Sequence, residues 1–332
     1  MASPFDKLPE LGTAISSIVM PTMSLYGPLL TAREPTIRTT TRTTHAYGPH
    51  DRQALDVYTP TTTAPHTRHG RRPVLIFLYG GGLVNGAKQI PNLANGLIYS
   101  NLGHFFAEKF GFTTVVVDYR LMAHGARFPS GGEDLALALE WIVENKPGPG
   151  EEAMDLFLMG NSAGGVHTMT FLLTPDFAAT REKLSRGTGA QLRGVVMVGV
   201  PFHFEQADPS RIDAVLNPYF GDYHALCAYG QIKTMQTEGK LPDFVKGTGV
   251  RILLLDAELD PEDEILVPRD DFLKQWLEFK DAEVRLAICA DRIAKHNHIS
   301  PPLGLGTGVH EQEQWGFQVA AFVHSGIAFP PS

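Results

Sequence analysis

Short apolar runs recur between residues 73 and 290, separated by stretches of about helix length: PVLIFLY (73–79), TTVVVDY (113–119), MDLFLMG (154–160), RGVVMVGV (193–200), RILLLD (251–256) and VRLAICA (284–290). Runs that are apolar on both faces suit strands buried on both sides, and their alternation with helices predicts a mainly parallel sheet covered by helices. GGEDLALALEWIVEN (131–145) carries its apolar residues at helical spacing. Upstream, TRTTHAYG and QALDVYTP are alternating or β-branched and predict a hairpin or edge pair of strands. TTTAPHTRHGRRP, which follows, is a polar loop rich in turn formers.

Two regions break the rhythm. Residues 1–40 have no strong period, and Pro21 and Pro28 interrupt their apolar stretch, yet ISSIVMPTMSLYGPLL is too apolar for a free tail and is expected to pack on the body as an arm. Between RGVVMVGV and RILLLD lie about fifty residues rich in aromatic side chains, longer than a plain crossover. A small helical cap inserted at about 201–249 over the carboxyl edge of the sheet accounts for both features, and ligands of open α/β sheets bind at that edge. The expected organisation is an arm over 1–40 and one α/β domain over 41–332.

The strongest chemical signal is MDLFLMGNSAGGVH, where an apolar strand runs straight into Gly160, Asn161, Ser162, Ala163 and Gly164. GxSxG between a strand and a helix lets the chain turn sharply and present the serine hydroxyl above the sheet. The helix that follows aims its first N–H groups at the same point. A second signal is VLIFLYGGGLVNGAK, in which another strand ends at Tyr79 followed by Gly80, Gly81 and Gly82. A developing oxyanion needs fixed donors about 3 Å away, and backbone without side chains can approach that closely. Gly81, Gly82 and Ala163 are the candidate donors.

The ordered set YGGG, DYRL (118–121), GNSAGG and AELDPEDE (257–264) resembles the hormone-sensitive-lipase-like branch of the α/β-hydrolases, serine esterases with a helical cap. The resemblance runs from about residue 50 to the end. QALDVYTP, and the lack of the branch's usual proline-rich run after DYRL, are similar to feruloyl-esterase-like and arylformamidase-like relatives. The branch usually has histidine before the glycines; here Tyr79 stands there. Because the donors are backbone N–H groups, the exchange need not impair catalysis; it bears on how the loop is braced and on the floor of the pocket. The resemblance implies an α/β-hydrolase fold and a Ser-His-acid triad in the chain order serine, acid, histidine.

RILLLDAELDPEDEI offers Asp256, Glu258, Asp260, Asp263 and Glu264 as the acid. Asp256 sits at the strand end and reads as a strand-end or capping carboxylate. Asp260 lies in the loop beyond, where a carboxylate can swing back toward an imidazole, and the match to AExDP also selects it. His296, His298, His310 and His324 follow the acid. His324 falls inside the terminal helix and His310 at its start, where it reads as a capping or surface residue. His296 and His298 lie beyond the last expected strand, and if the segment is extended, residues two apart point the same way. The family's histidine tends to be followed by an apolar residue, so the resemblance implies His298, in NHIS, as the base.

Other residues have plainer readings. His167, on the helix after Ser162, is expected to pack against the sheet or a loop, and Asp118 and Arg120 to form an ion pair or hydrogen-bond network at a strand end. Tyr79 and Leu83 beside the glycines, and Phe202, Phe204, Tyr219 and Phe220 in the insertion, are candidate pocket residues, as is His203; aromatic residues in a cap also serve as its core.

Composition narrows the function. Apolar residues at 43% and charged residues at 19% suit a globular protein with a large core. A net charge of -8 without a dense Lys/Arg cluster argues against nucleic acid. Cys227 and Cys289 are far apart, so neither a disulfide framework nor a thiolate metal site is expected. No stretch approaches the ~20 apolar residues of a membrane span, and the N-terminal segment lacks the continuous apolar core of a secretory signal. The expectation is a cytoplasmic serine esterase acting on a small-molecule ester without metal or cofactor, with a homodimer left open. Alternatives are an arylformamidase-type amide hydrolase, an acyltransferase or lyase using the same triad, and a non-enzymatic receptor on this fold.

Overall fold

The computed structural model describes residues 3–150 and 152–325. Its centre is an eight-stranded sheet: β1 (Thr41–Ala46), β2 (Ala54–Thr59), β3 (Arg72–Leu78), β4 (Thr113–Val117), β5 (Met154–Asn161), β6 (Ala190–Val198), β7 (Arg251–Leu259) and β8 (Ile288–Asn297). Their order across the sheet is β1-β2-β4-β3-β5-β6-β7-β8. β1 pairs antiparallel with β2 and β2 with β4, while every pair from β4 to β8 is parallel. β3, β4 and β5 are buried at every position. Their unbroken apolar runs therefore have one cause, burial of both faces of a central parallel strand.

The larger helices are α1 (Ile15–Ala32), α2 (Ser100–Phe110), α3 (Ser130–Asn145), α4 (Ala163–Leu173), α5 (Ala178–Arg186), α6 (Ala228–Thr237), α7 (Val267–Leu277) and α8 (His310–Ser325). α1 is continuous although it contains Pro21 and Pro28. Ile18, Thr22, Tyr26 and Leu30, four apart, form its buried face, whereas both prolines are exposed. Water can reach the carbonyls that the missing N–H groups leave open, so a proline costs less there than on a packed face. Packing of that stripe, not propensity, sustains the helix.

Residues 201–249 hold four short helical segments, Pro209–Arg211, Ile212–Leu216, Asn217–Phe220 and Tyr223–Leu226, followed by α6. α6 packs on α4 and α7. The run VRLAICA is not one strand. Ala282–Leu286 is a helical turn capped by the Asp281 carboxylate, which accepts the Val284 N–H at 3.2 Å, and β8 begins only at Ile288. β8 is an edge strand with mostly exposed residues over 289–295, so no apolar run marks it and it extends further toward the C-terminus than its apolar start suggests.

Candidate active site

β5 delivers the chain to Ser162, whose backbone at φ 50°, ψ −120° is strained for a residue with a Cβ. Its N–H is tied to the Val198 carbonyl of β6 at 2.9 Å, and α4 starts at the next residue. The turn packs so closely on β3 that a Cβ at Gly164 would stand 2.1 Å from the Leu78 carbonyl oxygen, which explains a glycine there. The strained turn points the Ser162 hydroxyl at His298, whose Nε2 lies 3.0 Å from Oγ. On the other side of the ring, His298 Nδ1 is 2.6 Å from Asp260 Oδ1. The second oxygen of Asp260 accepts the Ala257 N–H at 2.7 Å, and the Asp260 N–H returns to the Ala257 carbonyl at 3.0 Å. The carboxylate is thus fixed by its own turn. Both His298 and Asp260 are buried.

Asp256, another acid that the sequence offers, pairs elsewhere. It lies buried in β7, 3.0 Å from the Arg269 guanidinium of α7, and burial pushes its carboxyl up to about 7. It is an ion-pair partner within the body rather than a cap.

Strand alternation does not hold for the histidine pair. Ala257 of β7 faces Ile293, but Leu259 faces Asn297, so β8 carries extra residues in a bulge, with Lys295 at φ 61° and its N–H on Glu258 at 2.6 Å. β8 ends at Asn297, leaving His296 in the strand and His298 in the bend beyond it. The two rings consequently face different partners. His296 Nδ1 meets Ser300 Oγ at 2.7 Å and its ring stands edge-on to Phe5 at 4.9 Å. Burial depresses its titration to about 3, which keeps the imidazole neutral.

Gly81 and Gly82 adopt φ 150° and 63° in the loop after β3, with the Gly81 carbonyl accepting the Asn85 N–H at 2.9 Å. Ala163 is the first residue of α4, where N–H groups lack intrahelical acceptors. Among the described residues no hydrogen-bond acceptor engages the N–H of Gly81, Gly82 or Ala163.

Tyr79 is fully buried beneath this loop, stacked between Tyr99 and Tyr119, and its hydroxyl donates to Asp118. It is a brace rather than a wall of open space. Asp118 and Arg120 do not pair with each other: Asp118 lies 2.9 Å from Arg52, and Arg120 meets Asp134 at 2.8 Å and Glu133 at 2.9 Å. His167 is buried against Tyr119 and 3.4 Å from the Tyr219 hydroxyl, and burial lowers its titration to about 3. His310 is exposed, and His324 lies on α8 beside Phe112.

Leu83, Phe202, Phe204, Tyr219 and Phe220 are all buried. Phe202 stacks on Phe272 at 4.2 Å, Phe204 packs on Phe220 at 5.6 Å, and His203 reaches Asp271 at 3.2 Å. Phe204 also lines a narrow cavity with Val166, Met169, Val200, Leu226 and Cys227, between α4 and the insertion.

Sequence reasoning missed Gly199. It follows β6 at φ 55°, and a Cβ there would stand 3.1 Å from His298 Nδ1 and 3.3 Å from Asp260 Oδ2. Its position at the carboxyl end of a central strand was the available signal.

Residues 55–185 match the family BD-FAE. Over 126 residues, 36% of this chain and 23% of the relative, the chain is 31% identical to a phenmedipham hydrolase of Pseudarthrobacter oxydans. Over 130 residues, 36% of this chain and 20% of the relative, it is 31% identical to a liver carboxylesterase of Sus scrofa. The matched segment spans about a fifth of the length of these curated relatives. An esterase of Pyrobaculum calidifontis superposes with a TM-score of 0.56 at 18% identity, covering 98% of each chain. The esterase LipW of Mycobacterium marinum does so at 0.52 and 16%, covering 96% of this chain and 93% of that one. The chain is an α/β-hydrolase-fold protein. Within that class the proteins it resembles include a carboxylesterase in sequence and two esterases in fold.

Proposed function

We propose that this chain hydrolyses small carboxylic esters through an acyl-enzyme on Ser162. The observation that carries the reading is the position of His298 between Ser162 Oγ at 3.0 Å and Asp260 Oδ1 at 2.6 Å. With Nδ1–H donating to Asp260, His298 presents a free lone pair on Nε2 to the serine hydroxyl. As Oγ attacks the ester carbonyl, Nε2 takes the hydroxyl proton, and Asp260 holds the tautomer and stabilises the imidazolium. The tetrahedral oxyanion accepts from the N–H groups of Gly81, Gly82 and Ala163. Collapse breaks the bond to the alcohol oxygen, which leaves with the proton from His298. A water then gives its proton to the same nitrogen as it attacks the acyl carbon, and that proton passes to Oγ as the bond to Ser162 breaks and the acid is released. The mechanism calls on no metal or organic cofactor.

Hydrolysis of p-nitrophenyl acetate by wild type and Ser162→Ala tests the reading. The variant should lose activity by about 10⁴-fold or more and should fail to take up a fluorophosphonate label. A variant as fast as wild type overturns the mechanism.

A further inference from the structure

His298, like Asp260, sits on a bend just beyond the end of a strand, so something must hold that bend. The side chain between the two histidines does this from inside. Asn297 is fully buried, and its Oδ1 accepts the N–H of Ile299 at 3.1 Å and of Ser300 at 3.0 Å, closing the turn around His298. Ser300 Oγ accepts the Asn297 N–H at 3.1 Å and meets His296 Nδ1 at 2.7 Å. The remaining group of the Asn297 amide, Nδ2, reaches across the molecule and donates to Thr22 Oγ1 at 2.8 Å. Thr22 is itself fully buried on α1, whose inner face packs on the helical turn Ser300–Gly304. Phe5, from the same N-terminal segment, closes over His296.

A buried amide has few ways to satisfy all its hydrogen-bonding groups, so a fully engaged one has a single orientation. Rotation of Asn297 would break the contacts to Ile299 and Ser300 and the contact to Thr22 together. We propose that Asn297 is a positioning residue for His298, and that Thr22 of the N-terminal helix sets its orientation, making that helix a working part of the active site. The inference rests on the assignment of His298 as the base. It ascribes to residues 15–32 a role in rate, where packing alone would ascribe one only in stability.

The test is a set of variants assayed on p-nitrophenyl acetate, with kcat expressed per site titrated to completion by a fluorophosphonate and thermal unfolding followed in parallel. Thr22→Val keeps the shape and removes the oxygen that accepts from Asn297. It should lower kcat about 10-fold with KM nearly unchanged, since a small misplacement of a reacting group is costly. Thr22→Ser should restore the rate. Asn297→Ala should cost about 10²-fold, and adding Thr22→Val to it should cost little more, because both act through one bond. Should Asn297→Ala fail to fold, the valine and serine variants still decide. If Thr22→Val lowers the unfolding temperature but leaves kcat per titrated site at the wild-type value, the contact is only structural and the proposal falls. Ser162→Ala, run alongside, separates the two levels: if it is inactive while Thr22→Val is unaffected, only this inference fails, and if it hydrolyses like wild type, the serine mechanism fails and takes this inference with it.

Discussion

Arg52 donates from Nη2 to the Tyr79 hydroxyl at 2.7 Å and to the Gly86 carbonyl at 2.8 Å. Its Nε reaches the Tyr119 carbonyl at 3.1 Å, and the Tyr119 hydroxyl returns to the Tyr79 carbonyl at 2.6 Å. The glycine loop over 80–86 is therefore tied at both ends to one buried cluster, with Asp118 as its counter-charge. Burial raises the Asp118 carboxyl above its usual range, against the pull of Tyr79 and Arg52. Where the branch it resembles usually carries histidine before the glycines, this chain has Tyr79, whose phenol donates to Asp118.

Removing Arg52 strands Asp118 in the interior. Arg52→Met should destabilise the protein by about 3 kcal/mol, whereas Tyr79→Phe, which removes one hydroxyl, should cost about 1 kcal/mol. Urea unfolding of both variants measures the difference, and equal losses would count against Arg52 as the organising charge.

The histidine pair should divide its roles. His298→Ala should lower ester hydrolysis by about 10⁴-fold or more. His296→Ala should leave the rate within about tenfold and instead lower stability by about 2 kcal/mol, through the cavity it opens beside Phe5. A reversed pattern would move the base to His296.

Gly199 shapes the ground on which His298 and Asp260 meet. Gly199→Val adds a Cβ to a left-handed backbone 3.1 Å from the imidazole and should reduce kcat by about 10²-fold with little change in KM. A variant with wild-type kcat would show that the loop yields without moving the ring.

Stability should depend on pH through buried neutral histidines. His167 and His296 titrate near 3 in the folded protein, against about 6.5 when unfolded. Between those values the unfolded chain binds more protons, so each histidine removes about 1.4 kcal/mol per pH unit as pH falls from 6.5 toward 3. Asp256, raised to about 7, has the opposite sign: from the ordinary carboxylate value up to 7 the folded state holds the extra proton, and its contribution falls as pH rises. Urea midpoints against pH for wild type and His296→Asn should differ in slope by one proton between pH 4 and 6; identical slopes would show that His296 is not held neutral.

The central strands and the strand-serine-helix turn are legible because they obey local rules. β3, β4 and β5 are buried on both faces and so had to be apolar throughout, and Ser162 sits in a turn that only small residues permit. β8 is not legible in the sequence because an edge strand exposes charge, and its bulge erases the alternation that orients side chains in a regular strand. α1 shows no strong period in the sequence because its prolines obscure a buried stripe that is four residues apart.

The sequence by itself determined the alternation of strands and helices, the strand-serine-helix unit and the glycine loop, because each depends on neighbours within a few residues. Loop position and the AExDP match favour Asp260, and the resemblance favours His298, but only the tertiary structure brings Asp260 to His298 and His298 to Ser162. Asp256 and Asp260 are four residues apart and His296 and His298 two, with nothing in their spacing to separate them. A bulge paired across two strands turns one histidine toward Phe5 and the other toward the serine, and Arg269 engages one aspartate and leaves the other for His298. Thr22 and Asn297, 275 positions apart, meet only when the N-terminal helix docks on the bend. Contacts of that range leave no periodic trace in a single chain, since loop closure brings together residues whose local patterns are independent.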